Sequence, residues 1–283
     1  MNTHIIAIHG LNNKPAQQTL RQRWIDAIQE GLERNVNRRG SANWEIEMVY
    51  WADLGYPSPL PDDEAHYGYR RHPGDGPLPE YKSQWVDNLL TAGKGAGGSV
   101  LDLLGAVAKR EIVSDALLNK QFKDLGDYYL EPGHGEKVRA RLLEALARKP
   151  AGEKVLLLAH SMGTIVAMDV LRGFERGNGS GHGIQTFITL GAPLGLPYVI
   201  YQQRENFGRP ATPEGIARWG NFADKRDRIC FDTHLADDYA ANADKVKVVD
   251  DLIFNTHPDN PHDAHGYLRC PEFSRFFAEE VGA

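Results

Sequence analysis

Two short runs do most to constrain the fold. Residues 4–8 (His-Ile-Ile-Ala-Ile) and 154–158 (Lys-Val-Leu-Leu-Leu) are continuous apolar stretches bounded by turn-forming residues, without the alternation of a strand that has one wet face. Strands of this kind are buried on both sides, which calls for a parallel sheet with helices packed on each face. The rest of the chain supplies those helices. Leu20, Trp24, Ile28 and Leu32 recur every four residues behind Pro15, a residue suited to the start of a helix. Residues 134–149 carry Val138, Leu142, Leu143 and Leu146 on one helical face, and 165–174 form a mostly apolar helix. Further strands are predicted at 45–50, 184–190, 217–222 and 245–249. Strands alternating with helices at this spacing imply right-handed crossovers and a three-layer α/β fold, a mostly parallel sheet between two helical layers.

One stretch breaks the rhythm. About eighty residues, 54–133, stand where a short crossover would do. Pro57, Pro59, Pro61, Pro73, Pro77 and Pro79 crowd its first half, and helix-like pieces follow near 85–90 and 100–108. A largely helical cap or lid inserted into a single domain spanning 1–283 is the expected arrangement. With 41% hydrophobic and 25% charged residues, the chain has the composition of an ordinary globular core. Its 32 Lys and Arg against 38 acidic residues give a net charge of -6, which offers no basic surplus for phosphate backbones, so nucleic acid is an unexpected partner. The start, Met1-Asn2-Thr3-His4, leads straight into a strand without a signal-like segment, and no apolar run is long enough to span a bilayer, which makes a cytoplasmic location the default expectation. Cys230 and Cys270 are read as free thiols, two being too few for a disulfide scaffold.

The chemistry is concentrated at Ala159-His160-Ser161-Met162-Gly163, between the strand at 154–158 and the helix that follows. Small residues two before and two after the serine allow a sharp strand-to-helix turn that pushes the hydroxyl out at the carboxyl edge of the sheet, where the helix amino end favours developing negative charge. The alternative is a serine that caps an ordinary helix. The pentapeptide resembles the G-x-S-x-G nucleophile elbow of the α/β-hydrolase superfamily, with Ala159 in place of the first glycine. This elbow and the Trp219-x-Asn221-x-x-Asp224-x-x-Asp227 segment are similar to those of bacterial lipase-like and esterase-like members, and the resemblance covers the chain outside the insertion.

The resemblance implies an oxyanion hole formed by the backbone N–H groups of Leu11, in the His9-Gly10-Leu11-Asn12 turn after the first strand, and of Met162, next to the serine. His9 itself reads as a shaping residue. The acid is expected after a later strand; Asp227, in an Asp-x-Ile arrangement like the Asp-x-Val of many hydrolases, is the choice, with Asp224 bracing the loop. The base is expected last, where His262 and His265 compete: His262 follows Pro261, whereas His265 sits nearer a helix start and suits capping or packing. His257, His262 and His265 match no zinc spacing, and no metal or organic cofactor is implied.

The expected function is a serine hydrolase that cleaves the carboxylic ester of a small molecule through Ser161, His262 and Asp227. A thioesterase or acyltransferase using the same residues, and a non-catalytic binding module that kept the fold, are the alternatives. Oligomeric state has no signature in the sequence. Gly93-x-Gly95-x-x-Gly98 matches G-x-G-x-x-G, but no strand precedes it, so a lid hinge is preferred to a dinucleotide site. Tyr67, Tyr69, Tyr81, Trp85, Tyr128 and Tyr129 are placed either in an acyl pocket or in packing within the cap.

Overall fold

The structure, a computed structural model, describes residues 3–38, 44–62, 68–82, 125–176, 181–258 and 260–282. Among the described residues six strands form one all-parallel sheet in the order β2-β1-β3-β4-β5-β6: β1 (Thr3–Ile8), β2 (Trp44–Val49), β3 (Lys154–His160), β4 (Thr186–Leu190), β5 (Arg218–Ala223) and β6 (Val249–Leu252). Alternate side chains of β1 and β3 enter different cores. Ile6, Ile8, Val155, Leu157 and Ala159 face one helical layer, and Ile5, Ala7, Leu156 and Leu158 the other. Burial on both sides explains why these strands read as unbroken apolar runs.

Helices α2 (His134–Arg148), α3 (Met162–Gly173) and α4 (Pro197–Phe207) cover the first face. Helix α1 (Gln17–Val36) covers the second with α5 (Ala264–Arg269) and α6 (Pro271–Glu280). The apolar stripe Leu20, Trp24, Ile28 and Leu32 is the buried stripe of α1. α3 is buried from Met162 to Arg172, as a helix apolar on every side must be.

One boundary differs from expectation. The last strand is Val249–Leu252, not 245–249, although Val246 and Val248 look strand-like. Lys245 takes a positive φ of 65°, and the Asn242 Oδ1 accepts the backbone N–H of Val246 at 2.9 Å, so these residues form a turn. The polar Asp250 fits the strand because its carboxylate accepts Asn221 Nδ2 at 2.9 Å and the backbone N–H of Leu235 and Ala236.

Chain direction reverses between β1 and β3: from β1 the chain passes to β2 on one side and then returns to β3 on the other. In an open parallel sheet the crevice beyond the strand ends at such a point is the natural ligand site. The turns after β1 and β3 hold Leu11 and Ser161.

The described parts of the insertion lie in three places. Residues 54–62 run beside the turn after β1, with Asn13 Nδ2 donating to the Ser58 carbonyl and Leu60 N–H to that of Lys14. Residues 68–82 lie along α1, α5 and α6, and a helical segment at 125–130 packs Leu125 and Tyr128 into the first core. The expected helical pieces of the lid at 85–90 and 100–108, and the hinge expected at Gly93, Gly95 and Gly98, lie outside the described residues.

Candidate active site

Ser161 stands at φ 56° and ψ -131°, a conformation non-glycine residues rarely adopt, held because β3 and α3 are both buried and meet there with one residue between them. Close approach sets the neighbours. A Cβ on Gly10 would lie 2.6 Å from Ser161 Cβ, and one on Gly163 would lie 2.7 Å from the Ile8 carbonyl oxygen. Ala159 fits in place of a first glycine because its side chain packs into the core from the end of β3. The serine hydroxyl does not cap α3. It lies 2.8 Å from His262 Nε2.

His262 Nδ1 is 2.7 Å from Asp227 Oδ2. Ser161, His262 and Asp227 therefore form a continuous hydrogen-bonded chain, while His265 is turned elsewhere. Its backbone N–H is capped by Asp263 Oδ1 at 2.9 Å, its Nδ1 lies 3.4 Å from the same carboxylate, and its ring meets Tyr69 edge-on. Asp224 braces the acid loop, accepting the Arg226 guanidinium and the Asn255 backbone N–H at 2.6 Å.

Three groups around this chain gave no functional signal in the sequence. The Tyr267 hydroxyl donates to Asp227 Oδ2 at 2.8 Å and accepts the Asp224 N–H at 3.1 Å. Cys230 Sγ donates to the same Oδ2 at 3.2 Å, and the Ile229 N–H to Oδ1 at 2.9 Å. Burial alone would raise the Asp227 carboxyl, but His262 and these donors outweigh it and hold the group below its ordinary value, ionised. The Cys230 thiol is pushed well up by burial and by Asp227, which makes it an inert donor; both cysteines are free and buried. His160, the residue before the serine, is the third group. Its ring lies over His262 at 4.8 Å, and its Nε2–H donates to the His262 carbonyl at 3.0 Å. Burial and the nearby His262 keep it well below the usual histidine range, hence neutral.

The turn after β1 is equally fixed. His9 is buried and its pKa falls to about 3, from burial and the nearby Lys14. Neutral, it donates from Nδ1 to the Gly10 carbonyl at 2.7 Å and accepts the Trp51 N–H on Nε2 at 3.1 Å, while its ring stacks on Trp51 at 5.1 Å. Lys14 Nζ donates to the carbonyls of Leu11 and Asn12. Leu11 and Met162 line one cleft together.

Of the tyrosines, Tyr128 lines that cleft with its hydroxyl tied to Asp169 at 3.0 Å, and Tyr129 packs against Tyr128 and Tyr198. Tyr69 bonds Glu30, and Tyr81 lies beneath Lys225; Tyr67 lies outside the described residues. Among the described residues no group of three or more His, Cys, Asp or Glu is placed to hold a metal, and no helix is long and apolar enough to cross a membrane.

Residues 135–203, from α2 through β3, Ser161, α3 and β4, match the family described as "Alpha/beta hydrolase of unknown function (DUF900)". No curated protein matches the sequence. Among solved structures, that of the metagenomic carboxyl esterase MGS0156 is similar at 12% identity and a TM-score of 0.28, over 51% of this chain and 60% of the esterase. The chain thus spans about three-fifths of that protein. The all-parallel sheet with its reversal between β1 and β3 and the turn at Ser161 give the chain the architecture of the α/β-hydrolase fold, and its segment 135–203 is similar to a family of that fold.

Proposed function

We propose that the protein is a serine hydrolase that cleaves a carboxylic ester by way of an acyl-enzyme. The observation that carries this reading is the hydrogen-bonded chain from Ser161 Oγ through His262 to Asp227, set at the sheet's reversal point. His262 Nε2 takes the hydroxyl proton as Ser161 Oγ attacks the ester carbonyl carbon. Asp227 accepts the Nδ1–H and stabilises the imidazolium. The backbone N–H groups of Leu11 and Met162 receive the oxyanion, aided by the amino end of α3. On collapse the proton on Nε2 passes to the leaving alkoxide, which departs as the alcohol. Water, deprotonated by the same nitrogen, then attacks the acyl-serine, and the carboxylic acid leaves as Ser161 regains its proton. No step calls for a metal or cofactor.

The test is labelling by a fluorophosphonate probe together with turnover of p-nitrophenyl esters. Ser161→Ala is expected to abolish labelling and lower turnover by several powers of ten at unchanged fold. His262→Ala is expected to silence acylation, and His265→Ala to leave most of it. Labelling that persists in Ser161→Ala, or a wild-type chain that is neither labelled nor active, overturns the proposal.

A further inference from the structure

The turn between β1 and α1 holds a buried ammonium that the reaction above does not use, and its role rests on the hydrolase reading. Lys14 is buried, and its Nζ donates to the carbonyls of both Leu11 and Asn12. At the other end of the turn, His9 Nδ1–H holds the Gly10 carbonyl at 2.7 Å. Three consecutive carbonyls are thus drawn to side chains from the turn's own ends. A trans peptide points its N–H opposite to its carbonyl, so the Leu11 N–H faces away from His9. Gly10 sets that peptide beside the nucleophile: a Cβ placed on Gly10 would lie 3.0 Å from Ser161 Oγ. Among the described residues no acceptor takes the N–H of Leu11.

Leu11 is therefore fixed on both sides, by His9 through the peptide before it and by Lys14 through the peptide after it. The second tie matters because Asn12 stands at a φ of 70°, a left-handed conformation that asparagine tolerates without favouring. Released, the Leu11–Asn12 peptide is free to turn its carbonyl, the negative end of a dipole, towards a site where negative charge develops, and to tilt the Leu11 N–H away. The flanks of the turn do not need the ammonium. β1 anchors one end in the sheet; at the other, the Lys14 carbonyl accepts the Leu60 N–H at 2.8 Å, and Asn13 Nδ2 donates to the Ser58 carbonyl at 2.9 Å. Loss of the ammonium frees the peptides at Leu11 and Asn12 and little else.

We propose that Lys14 is a positioning residue for the oxyanion: by holding the Leu11 and Asn12 carbonyls behind the turn, its ammonium keeps the Leu11 N–H aimed at the oxygen of the tetrahedral intermediate. The test uses Lys14→Met, which keeps the bulk and discards the ammonium. Lys14→Gln, with a neutral donor, is the second variant if the first does not fold, and it is read in the same way. The variant is expected to fold, by circular dichroism and urea unfolding, and to be labelled to completion at Ser161 by the fluorophosphonate. Because the oxyanion forms only as the carbonyl is attacked, kcat for p-nitrophenyl butyrate is expected to fall about a hundredfold at a KM within about twofold, the lower end of what losing one oxyanion donor costs. Affinity for an alkyl trifluoromethyl ketone is expected to weaken by the same factor: Ser161 Oγ adds to its carbonyl carbon, the hydroxyl proton passes to His262, and the ketone oxygen becomes an oxyanion in the same place. If no ester turns over, the rate of Ser161 labelling carries the comparison and is expected to fall likewise. A packing role moves stability and leaves these readouts alone. A folded variant whose kcat, or labelling rate, and ketone affinity stay within about twofold of wild type, a change in KM alone, or failure of both variants to fold overturns the assignment, while labelling of wild-type Ser161 leaves the hydrolase reading standing. A wild-type chain that is neither labelled nor active overturns both.

Discussion

One carboxylate oxygen, Asp227 Oδ2, receives three donors: His262 Nδ1, the Tyr267 hydroxyl and the Cys230 thiol. The tyrosine and the imidazole compete for the same negative charge. Tyr267 is fully buried, on α5 beside Asp227, so its donor is not exchanged for water. Removing the hydroxyl leaves more of the charge for the His262 imidazolium of the proposed reaction. Tyr267→Phe is therefore expected to move the acid limb of the kcat/KM profile to higher pH, by a fraction of a unit at 1.36 kcal/mol per unit, with a modest loss of rate. Cys230 loses its 3.5 Å contact with the Tyr267 hydroxyl in this variant but stays a neutral thiol, because burial and Asp227 already push it well up. A uniform drop in rate with no displacement of the limb would mean that Tyr267 only packs. The three-part chain itself was legible in the sequence because order along the chain and strand ends mark Ser161, Asp227 and His262. Tyr267, Cys230 and His160 were not, since each acts through a contact between residues far apart in sequence, and an aromatic, a thiol or an imidazole has no spacing that announces such a contact. The same limit kept His262 and His265 unresolved: both precede or open α5, and the fold alone aims one at Ser161 while Asp263 caps and holds the other.

Helices α3 and α4 and the segment at 125–130 meet at a buried carboxylate. Asp169 of α3 accepts the Tyr128 hydroxyl at 3.0 Å and Gln203 Nε2 of α4 at 2.9 Å, with Arg139 of α2 nearby. Burial outweighs these partners and raises its pKa from 3.8 to about 6. The folded state thus binds a proton that the unfolded state has lost between about pH 4 and pH 6, and stability from this group, present below that window, is lost as pH rises through it. A shift of this size corresponds to roughly 3 kcal/mol. Asp169→Asn removes the titration, so the stability of the wild type relative to this variant is expected to grow by up to that amount as pH falls from 7 to 4, measured by urea unfolding at each pH. A constant difference across the range would contradict the assignment. Element-level patterns in the sequence located α2, α3 and the central strands because their apolar periodicity is set by burial. β6 escaped because this edge strand, paired with β5, is short, polar and partly exposed, with Asp250 bonded to Asn221, and so leaves no apolar pattern.

At the scale of the whole molecule, the insertion is fastened at sites well apart from one another, and its described first half is bound to a helical layer. Residues 68–82 have no regular secondary structure, yet they close over a buried polar cluster. Arg34 of α1 donates to Glu30 Oε1 at 2.8 Å and to the carbonyls of His72, Pro73 and Gly76. Glu30 also accepts the Tyr69 hydroxyl at 2.7 Å and the His72 N–H at 2.9 Å, while Arg269 of α5 donates to the Arg70 carbonyl. Burial would raise the Glu30 carboxyl, but Tyr69, Arg34 and the His72 N–H together hold it below its ordinary value. Arg34 is thus the residue on which this stretch depends most, and removing one member of a buried ion pair strands the other. Arg34→Met keeps the bulk and discards the charge. It is expected to lower the free energy of unfolding by about 3 kcal/mol, the low end for such a break because Arg269 still faces Glu30. It is also expected to open residues 68–82 ahead of the core, read as early trypsin cleavage after Arg70, Arg71 or Lys82 at temperatures where ester turnover is intact. Cleavage there that begins only with global unfolding would show that the segment belongs to the core's own cooperative unit. A loss of turnover that tracks the cleavage would show that the strap along α1 and α5 holds Tyr267, and through it Asp227, in place.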